Sequence, residues 1–250
     1  MRNLLSAGFA RLWRSWTLWL SCAFLAAATV KSIWTRYSDG VQYGYHSSLD
    51  SAFTYYVLFI AFLIPIVCTL FIGTDYSDGT IRSKVVCGHS RAAVYLSNLI
   101  LCSAASLIMC TAAVAPGLAL GLPLLGGFNK GWPWAIMFFV SVYALSLVWT
   151  ALSTLLAMLV SSRTITAAVA MLLSLALLAA GANLSDPADV PEGRVRDTIQ
   201  FLSDSTPGGQ TLQHINQRAE RPEVLIAYDA ALFVLTTGAG LALFRRKDLK

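Results

Sequence analysis

Long stretches without charged residues alternate with short polar segments along most of the chain. Six of these stretches can each cross a bilayer, because a hydrocarbon core about 30 Å thick requires roughly 20 apolar helical residues. The pattern predicts an all-α, polytopic membrane protein that forms one transmembrane domain over residues 1–250. The predicted spans are about 15–34, 51–74, 92–115, 132–160, 164–185 and 224–244.

The third uncharged stretch, 92–129, is too long for one span, and its length is where the count could change. Pro116, Gly117 and Pro123 interrupt it, and proline removes a backbone donor from a helix, so we expect the helix to end near Ala115. Two full spans here would make seven in total. They would move the basic residues 245–247 to the other side of the membrane.

Composition supports the membrane assignment and excludes several classes of protein. The chain of 250 residues is 56% hydrophobic and 12% charged, whereas soluble domains are about 25% charged. An ordinary cytosolic enzyme, a disordered chain and a small disulfide-stapled domain are therefore excluded. The five cysteines form no CxxC pair and are interpreted as small apolar side chains.

Lysine and arginine placement predicts the orientation. Most of the 18 basic residues fall in the segments that share a side with the N-terminus, so both termini are expected in the cytoplasm. An alternative interpretation of the N-terminus is a signal peptide, with Arg11 and Arg14 as its charged region and residues 26–28 as its cleavage site. That alternative leaves five spans and separates the two termini.

Residues that could carry catalysis are scarce in the predicted spans. His46, His89 and His214 all fall in predicted loops, which disfavours a haem subunit and an intramembrane serine protease, since both require buried histidines or bases. No GxxxxGK phosphate loop occurs, so the chain cannot hydrolyse ATP through that loop. A lipid bilayer is the expected surrounding, and no nucleic-acid partner is indicated.

Asp229 is the one acidic residue that falls inside a predicted span, about five residues from its outer end. Two interpretations stay open. Its carboxylate could reach the membrane interface, or it could be a polar point that lines a transport pathway.

The segment between the second and third spans, 71–91, carries the most specific local signals. Asp78 and Gly79 form a turn pair in which glycine can adopt positive φ, and Thr80 is a candidate N-cap. Residues 81–87 are expected to form a short helix that Gly88 ends.

Charge and apolar spacing on this short helix suggest a contact surface. Asp75 and Asp78 precede its positive end and Lys84 lies toward its negative end. Ile81 and Val85 share one face at i, i+4, while Arg82 points elsewhere. Seven residues are too few for a stable isolated helix, so this face packs either on its own bundle or on a soluble partner.

Two further segments are predicted to be amphipathic. Residues 1–14 place apolar side chains on one face and arginines around the rest, as expected for an interfacial helix that leads into the first span. The outer segment 186–223 carries Val195, Ile199 and Leu202 at i, i+4, i+7, which suggests a helix with one apolar face on the outer membrane surface.

The sequence FIGTDYSDGTIRSKVVCGHSR resembles the segment that follows the second span in type-2 ABC transporter permeases. In that family an acidic residue, a Gly-Thr pair and a basic residue open the coupling helix. The order of parts is similar too: an N-terminal elbow helix, six spans and a long outer segment. Weaker similarity occurs at 206–209 and 244–250.

The resemblance implies the permease subunit of an ATP-driven exporter in the bacterial cytoplasmic membrane, of the lantibiotic, peptide or drug exporter type. Two permease chains would pair with two ATP-binding subunits, which would hold ATP and Mg²⁺, while this chain holds no cofactor. Short re-entrant helices in the outer segment would close the exit. The implied coupling residues are Asp75, Asp78, Gly79, Thr80, Ile81, Arg82, Lys84, Val85 and Gly88.

In that interpretation Ile81 and Val85 insert their shared face into a groove of the ATP-binding subunit. Other classes of function stay open. The chain could be a self-contained secondary transporter or channel, or a non-transporting membrane anchor or sensor.

Overall fold

The computed structural model describes residues 2–44, 48–184, 191, 193–219 and 221–247, and every regular element within these ranges is helical. A single 3₁₀ turn precedes α3. The elements, in chain order, are α1 (Arg2–Trp13), α2 (Trp16–Tyr43), the 3₁₀ turn (Leu49–Ser51), α3 (Thr54–Ser77), α4 (Thr80–Val86), α5 (Arg91–Leu125), α6 (Trp132–Leu159), α7 (Arg163–Asn183), α8 (Arg194–Ser205), α9 (Pro207–Ile215) and α10 (Pro222–Arg246).

Six of these elements are long and apolar enough to cross a membrane, which confirms the number of spans expected from the sequence. The first extends past its predicted end at Trp34 to Tyr43, where Gly44 closes the helix with a left-handed φ of 70°. The six candidate spans are Trp16–Tyr43, Leu49–Ser77, Arg91–Leu125, Trp132–Leu159, Arg163–Asn183 and Pro222–Arg246.

The predicted end of the third span near Ala115 is wrong, because α5 continues through Pro116 to Leu125. A proline costs one backbone hydrogen bond, but an apolar helix tolerates it when neighbouring helices enclose the site. Gly117 provides that close packing, since a Cβ there would lie 2.6 Å from the Phe53 ring. Tertiary contact therefore keeps the helix intact where the local sequence favours a stop.

The core of the bundle is centred on α3, which contacts α2, α5, α6 and α7. Its side chains at Tyr56, Ile60 and Ile64 are completely buried. By contrast, α7 and α10 lie at the periphery and expose apolar side chains such as Leu172 and Leu235, as helices that face lipid do.

The described ends of the chain lie at the same end of the bundle, which we call the terminal face and define by α1, α4, the α6–α7 connection and the last turn of α10. Lys247 donates to the Tyr76 hydroxyl at 2.9 Å and to the Met158 carbonyl at 3.0 Å. Arg91 donates to the carbonyls of Arg245 and Lys247. The opposite end, which carries α8 and the start of α9, is called the far face.

Candidate functional site

A buried carboxylate connects three helices at the terminal face. Asp75, in the last turn of α3, has only 1% of its side chain exposed. Its oxygens accept hydrogen bonds from the guanidinium of Arg11 on α1, from the Thr80 hydroxyl at 2.6 Å and from the Lys84 ammonium at 2.8 Å. Asp75 therefore ties α1 and α4 to the end of the second candidate span.

The two cations around Asp75 differ in their surroundings. Arg11 lies over the Phe71 ring, with its guanidinium carbon 4.0 Å from the ring centroid, and its second nitrogen is 3.1 Å from Asp75. Its side chain is 36% exposed and that of Lys84 is 26% exposed. The buried negative charge is thus paired with two partly solvated positive charges, so the cluster as a whole is positive.

The turn signals predicted for α4 agree with the structure at both glycines. Gly79 has φ 64° and Gly88 has φ 89°, both in the left-handed region that glycine favours. The assignment of Thr80 as N-cap is wrong, because Gly79 occupies that position and Thr80 is the first helical residue. The Thr80 hydroxyl bonds to the Asp75 carboxylate, which is a stronger acceptor than the main chain.

The shared apolar face of α4 packs on its own bundle. Ile81 is 1% exposed and belongs to the hydrophobic core, and Val85 packs against that core. The expectation of insertion into a partner protein is therefore wrong for Ile81, whereas Val85 is only partly buried and its contact with a partner stays a prediction. Burial of Ile81 stabilises a helix that is too short to persist alone.

The side of α4 opposite Ile81 faces outward and carries some of the predicted coupling residues. Val86 is 78% exposed. Arg82 lies one turn before it and is also exposed, as are Asp78 and Gly79 in the preceding turn. We call Arg82, Ser83, Val86 and Cys87 the α4 surface.

The N-terminal helix α1 does not keep all of its predicted apolar face together. Leu12 is buried in the core, whereas Phe9 and Trp13 are exposed, and so is Trp16 at the start of α2. Arg11, expected on the solvated side, instead reaches Asp75. The helix is thus fixed to the bundle on one side and presents aromatic rings on the other.

At the far face, the short helix α9 dips into the bundle, and the chain enters and leaves on that same side. Gly181 on α7 and Gly208 on α9 pack backbone against backbone, since a Cβ on Gly181 would lie 2.8 Å from the Gly208 carbonyl carbon. The Trp149 indole donates to Thr211 at 3.3 Å. Because Trp149 lies about 26 Å along α6 at 1.5 Å per residue, α9 reaches roughly the middle of the bundle.

His214 lies in α9 and is completely buried, so the expectation that it occupies a solvent-exposed loop is wrong. Its Nδ1 is 2.8 Å from the Gln210 carbonyl, which can only accept, so Nδ1 carries the proton. Its Nε2, 2.9 Å from Ser141 on α6, then accepts the serine hydroxyl. Burial lowers the pKa of His214 to about 4, which keeps the ring neutral.

The burial of His214 could not be predicted from the sequence, because residues in loops are normally solvated. Only the glycines that precede it, Gly208 and Gly209, indicated close packing. His89 follows α4 and is partly exposed, and His46 lies outside the described residues. Both Ser141 and His214 are completely buried, so a substrate has no access to the pair in this conformation. The bond between them instead holds α9 against α6.

Asp229 is also buried, with 1% of its surface exposed, so its carboxylate does not reach an interface as one interpretation expected. It lies in the second turn of α10, beside Gln210 of α9. Neither Asp229 oxygen has a hydrogen-bond partner among the described residues. The structure thus places Asp229 of α10 next to α9, in addition to the contacts of α9 with α3, α6 and α7.

The amphipathic helix expected from Val195, Ile199 and Leu202 forms α8, and Val195 and Leu202 are exposed. Phe201 of α8 packs edge-on against Tyr228 of α10, with ring centroids 6.1 Å apart.

No protein-family model matches the chain, and no curated protein matches it. Function is therefore inferred from the arrangement of the residues themselves.

Proposed function

We propose that the chain is the membrane-spanning permease subunit of an ATP-driven exporter, which acts with a separate ATP-binding subunit and a second permease chain. One observation carries the proposal. The α4 surface is solvent-exposed, while the buried Ile81 and the hydrogen bonds of Asp75 attach the same helix to the end of a candidate span. A short, exposed and firmly attached helix is suited to transmit force from a soluble partner.

In this mechanism the terminal face is cytoplasmic and the partner binds the α4 surface through Arg82 and Val86. Closure of the ATP-binding subunits moves α4, and the ion pairs of Asp75 with Arg11 and Lys84 transmit that motion to α3 and α1. Asp75, Thr80 and Ile81 thus act inside the permease, while Arg82 and Val86 contact the partner.

The far face would contain the exit. Helix α9 occupies the centre of the bundle there and contacts α3, α6 and α7, so its displacement would open a path. Charged side chains are few along the candidate spans, which suits a hydrophobic or amphipathic cargo such as a peptide antibiotic, a lantibiotic-like peptide or a drug.

A self-contained secondary transporter is the second candidate, and the buried polar groups at the far face favour it. Asp229 and His214 are both ionisable and buried, and such residues mark proton relays in many transporters. The two candidates differ in energy source. Transport by the purified single chain in response to a proton gradient would support the second candidate, and dependence on ATP with a partner subunit would support the first.

Site-specific photocrosslinking tests the exporter proposal. A photoreactive residue at position 86 in the host cell should form an adduct with a protein that contains GxxxxGK[ST]. The matched control places the same residue at position 195 on the far face, where no such adduct should form. The purified chain alone should show no ATPase activity. ATP hydrolysis by the chain alone, or no nucleotide-binding adduct at position 86, would contradict the proposal.

The proposed orientation has a separate test in intact cells. A thiol reagent that cannot cross the membrane should label Ser205→Cys in a chain whose native cysteines are replaced. The same reagent should spare a chain that retains only Cys87, although that side chain is exposed in the structure. Labelling of Cys87 from outside would reverse the orientation.

A further inference from the structure

The apolar face of α8 is turned away from the bundle. Val195 and Leu202 lie two turns apart on this face, and their side chains are 66% and 41% exposed. Val195 precedes Asp204 by about two and a half helical turns, so these two side chains point in opposite directions. Asp204 is hydrogen-bonded to Gln213 of α9. The side of α8 that binds α9 is therefore opposite to the side that carries Val195.

The packing of α8 beside α10 places this apolar face near a membrane surface. Phe201 of α8 packs edge-on against Tyr228, which lies about 9 Å along α10 from Pro222 at 1.5 Å per residue. Amphipathic helices at a membrane interface bury their apolar face about 5–10 Å into the boundary between headgroups and acyl chains. Because α10 itself is peripheral and exposes Leu235 further along, α8 lies at the lipid-facing edge of the bundle.

Asp204 joins α8 to α9 through three glutamine side chains. Its carboxylate accepts hydrogen bonds from Nε2 of Gln200 at 2.9 Å and from Nε2 of Gln213 at 2.8 Å. Its main-chain carbonyl accepts Nε2 of Gln210 at 2.7 Å. A single residue, Thr206, separates the two helices and is the N-cap of α9. A displacement of α8 would therefore move α9 as well.

We infer that the apolar face of α8 binds lipid of the membrane leaflet at the far face, and that Asp204 transmits this contact to α9. Val195 and Leu202 leave water when they contact acyl chains, which is favourable. The exposed Arg194, at the start of α8, suits the phosphate groups of phospholipids. Lipid bound to α8 thus helps to hold α9 in the centre of the bundle. The inference requires the candidate spans to lie in a membrane, but it does not depend on the exporter proposal.

Spin labelling of the full-length chain in nanodiscs of phosphatidylcholine and phosphatidylglycerol tests the lipid contact. The labels are attached to Val195→Cys or Leu202→Cys in a chain whose native cysteines are replaced. Oxygen concentrates in lipid and a nickel chelate stays in water, so both labels should collide more often with oxygen than with the chelate. The matched control, Asp197→Cys, is exposed on another side of α8 and should show the reverse.

Two results of this experiment would overturn the inference. One is equal access of the nickel chelate to positions 195, 197 and 202. The other is spin–spin broadening between labels on different copies of the chain, because a second copy would then cover the face in place of lipid.

Hydrogen exchange of the α9 amides in the same nanodiscs tests the transmission. Leu202→Glu places a charge against the lipid and should make these amides exchange about fivefold faster, as expected for the loss of roughly one hydrogen bond. The control Leu202→Phe keeps the side chain apolar and should retain the wild-type rate. In Asp204→Ala the exchange should already be faster than in wild type, and the addition of Leu202→Glu should change it little.

The transmission is disproved if Leu202→Glu leaves the exchange of α9 at the wild-type rate, or if Leu202→Phe accelerates it equally. It is also disproved if Leu202→Glu has the same effect with and without Asp204. The spin-labelling experiment requires only single cysteines at exposed positions, so it decides the lipid contact even if Leu202→Glu does not fold.

Discussion

Replacing Asp75 with asparagine should loosen α4 without disturbing the candidate spans. Asparagine has nearly the same size and can still accept the Thr80 hydroxyl, but it loses both ion pairs. Removing one partner of a fully buried ion pair costs about 3–5 kcal/mol. Because Arg11 and Lys84 keep side-chain exposures of 36% and 26%, water recovers part of their solvation, and we expect about 1–3 kcal/mol.

Limited digestion of the purified chain with trypsin reports this local change, because Arg82 is cleaved when α4 opens. If opening is fast relative to cleavage, the cleavage rate follows the opening free energy. A loss of about 1–3 kcal/mol then predicts cleavage after Arg82 that is about 5- to 150-fold faster. Cleavage after Arg194, at the far face, should keep its wild-type rate.

The control for this experiment is Asp78→Asn, which removes a nearby acid that is exposed and has no ion pair within 4 Å among the described residues. It should leave the rate at Arg82 within about twofold of wild type, since most surface substitutions change stability by less than about 0.5 kcal/mol. Equal rates in Asp75→Asn and wild type would refute the role of Asp75 as the residue that holds α4.

Two further predictions concern α9. The pKa of His214 lies near 4 in the folded chain and near 6.5 when unfolded, so between these pH values only the unfolded state gains a proton. The free energy of unfolding should therefore fall by about 3 kcal/mol from pH 6.5 to 4. Thermal unfolding measured over this pH range should show a weaker pH dependence in His214→Gln and an unchanged one in His89→Gln. Gly208→Ala would place a Cβ against the Leu177 carbonyl and should lower the melting temperature sharply. The control Gly238→Ala has open space around it and should raise the melting temperature slightly. Similar melting temperatures for the two alanine variants would show that α9 does not pack against α7.

Several features follow from the sequence because their causes are local. Six apolar stretches of sufficient length predict six candidate spans, since the length needed depends only on helical rise and bilayer thickness. Gly79 and Gly88 bound α4 because positive φ is easily adopted only by glycine. Neither feature requires knowledge of what packs nearby.

The site itself depends on contacts between residues far apart in the chain. Asp75 was expected to act at the positive end of α4, but it also pairs with Arg11, 64 positions away. The sequence pattern around Ile81 fits packing on a partner protein as well as packing on its own core. In the structure the residue is 1% exposed and belongs to the core. His214 looked solvated in a polar segment, yet glycines let α9 pack against α7 and carry it into the interior.

Local sequence therefore determined which segments form the long helices, although the ends of α2 and α5 lie beyond their predicted positions. Burial and pairing of charges were decided by the tertiary structure, because the energy of a polar side chain depends on whichever distant groups replace its water. The same reason explains why Asp229, the one acid expected within a span, could not be assigned to the interface or the interior from its position in the chain.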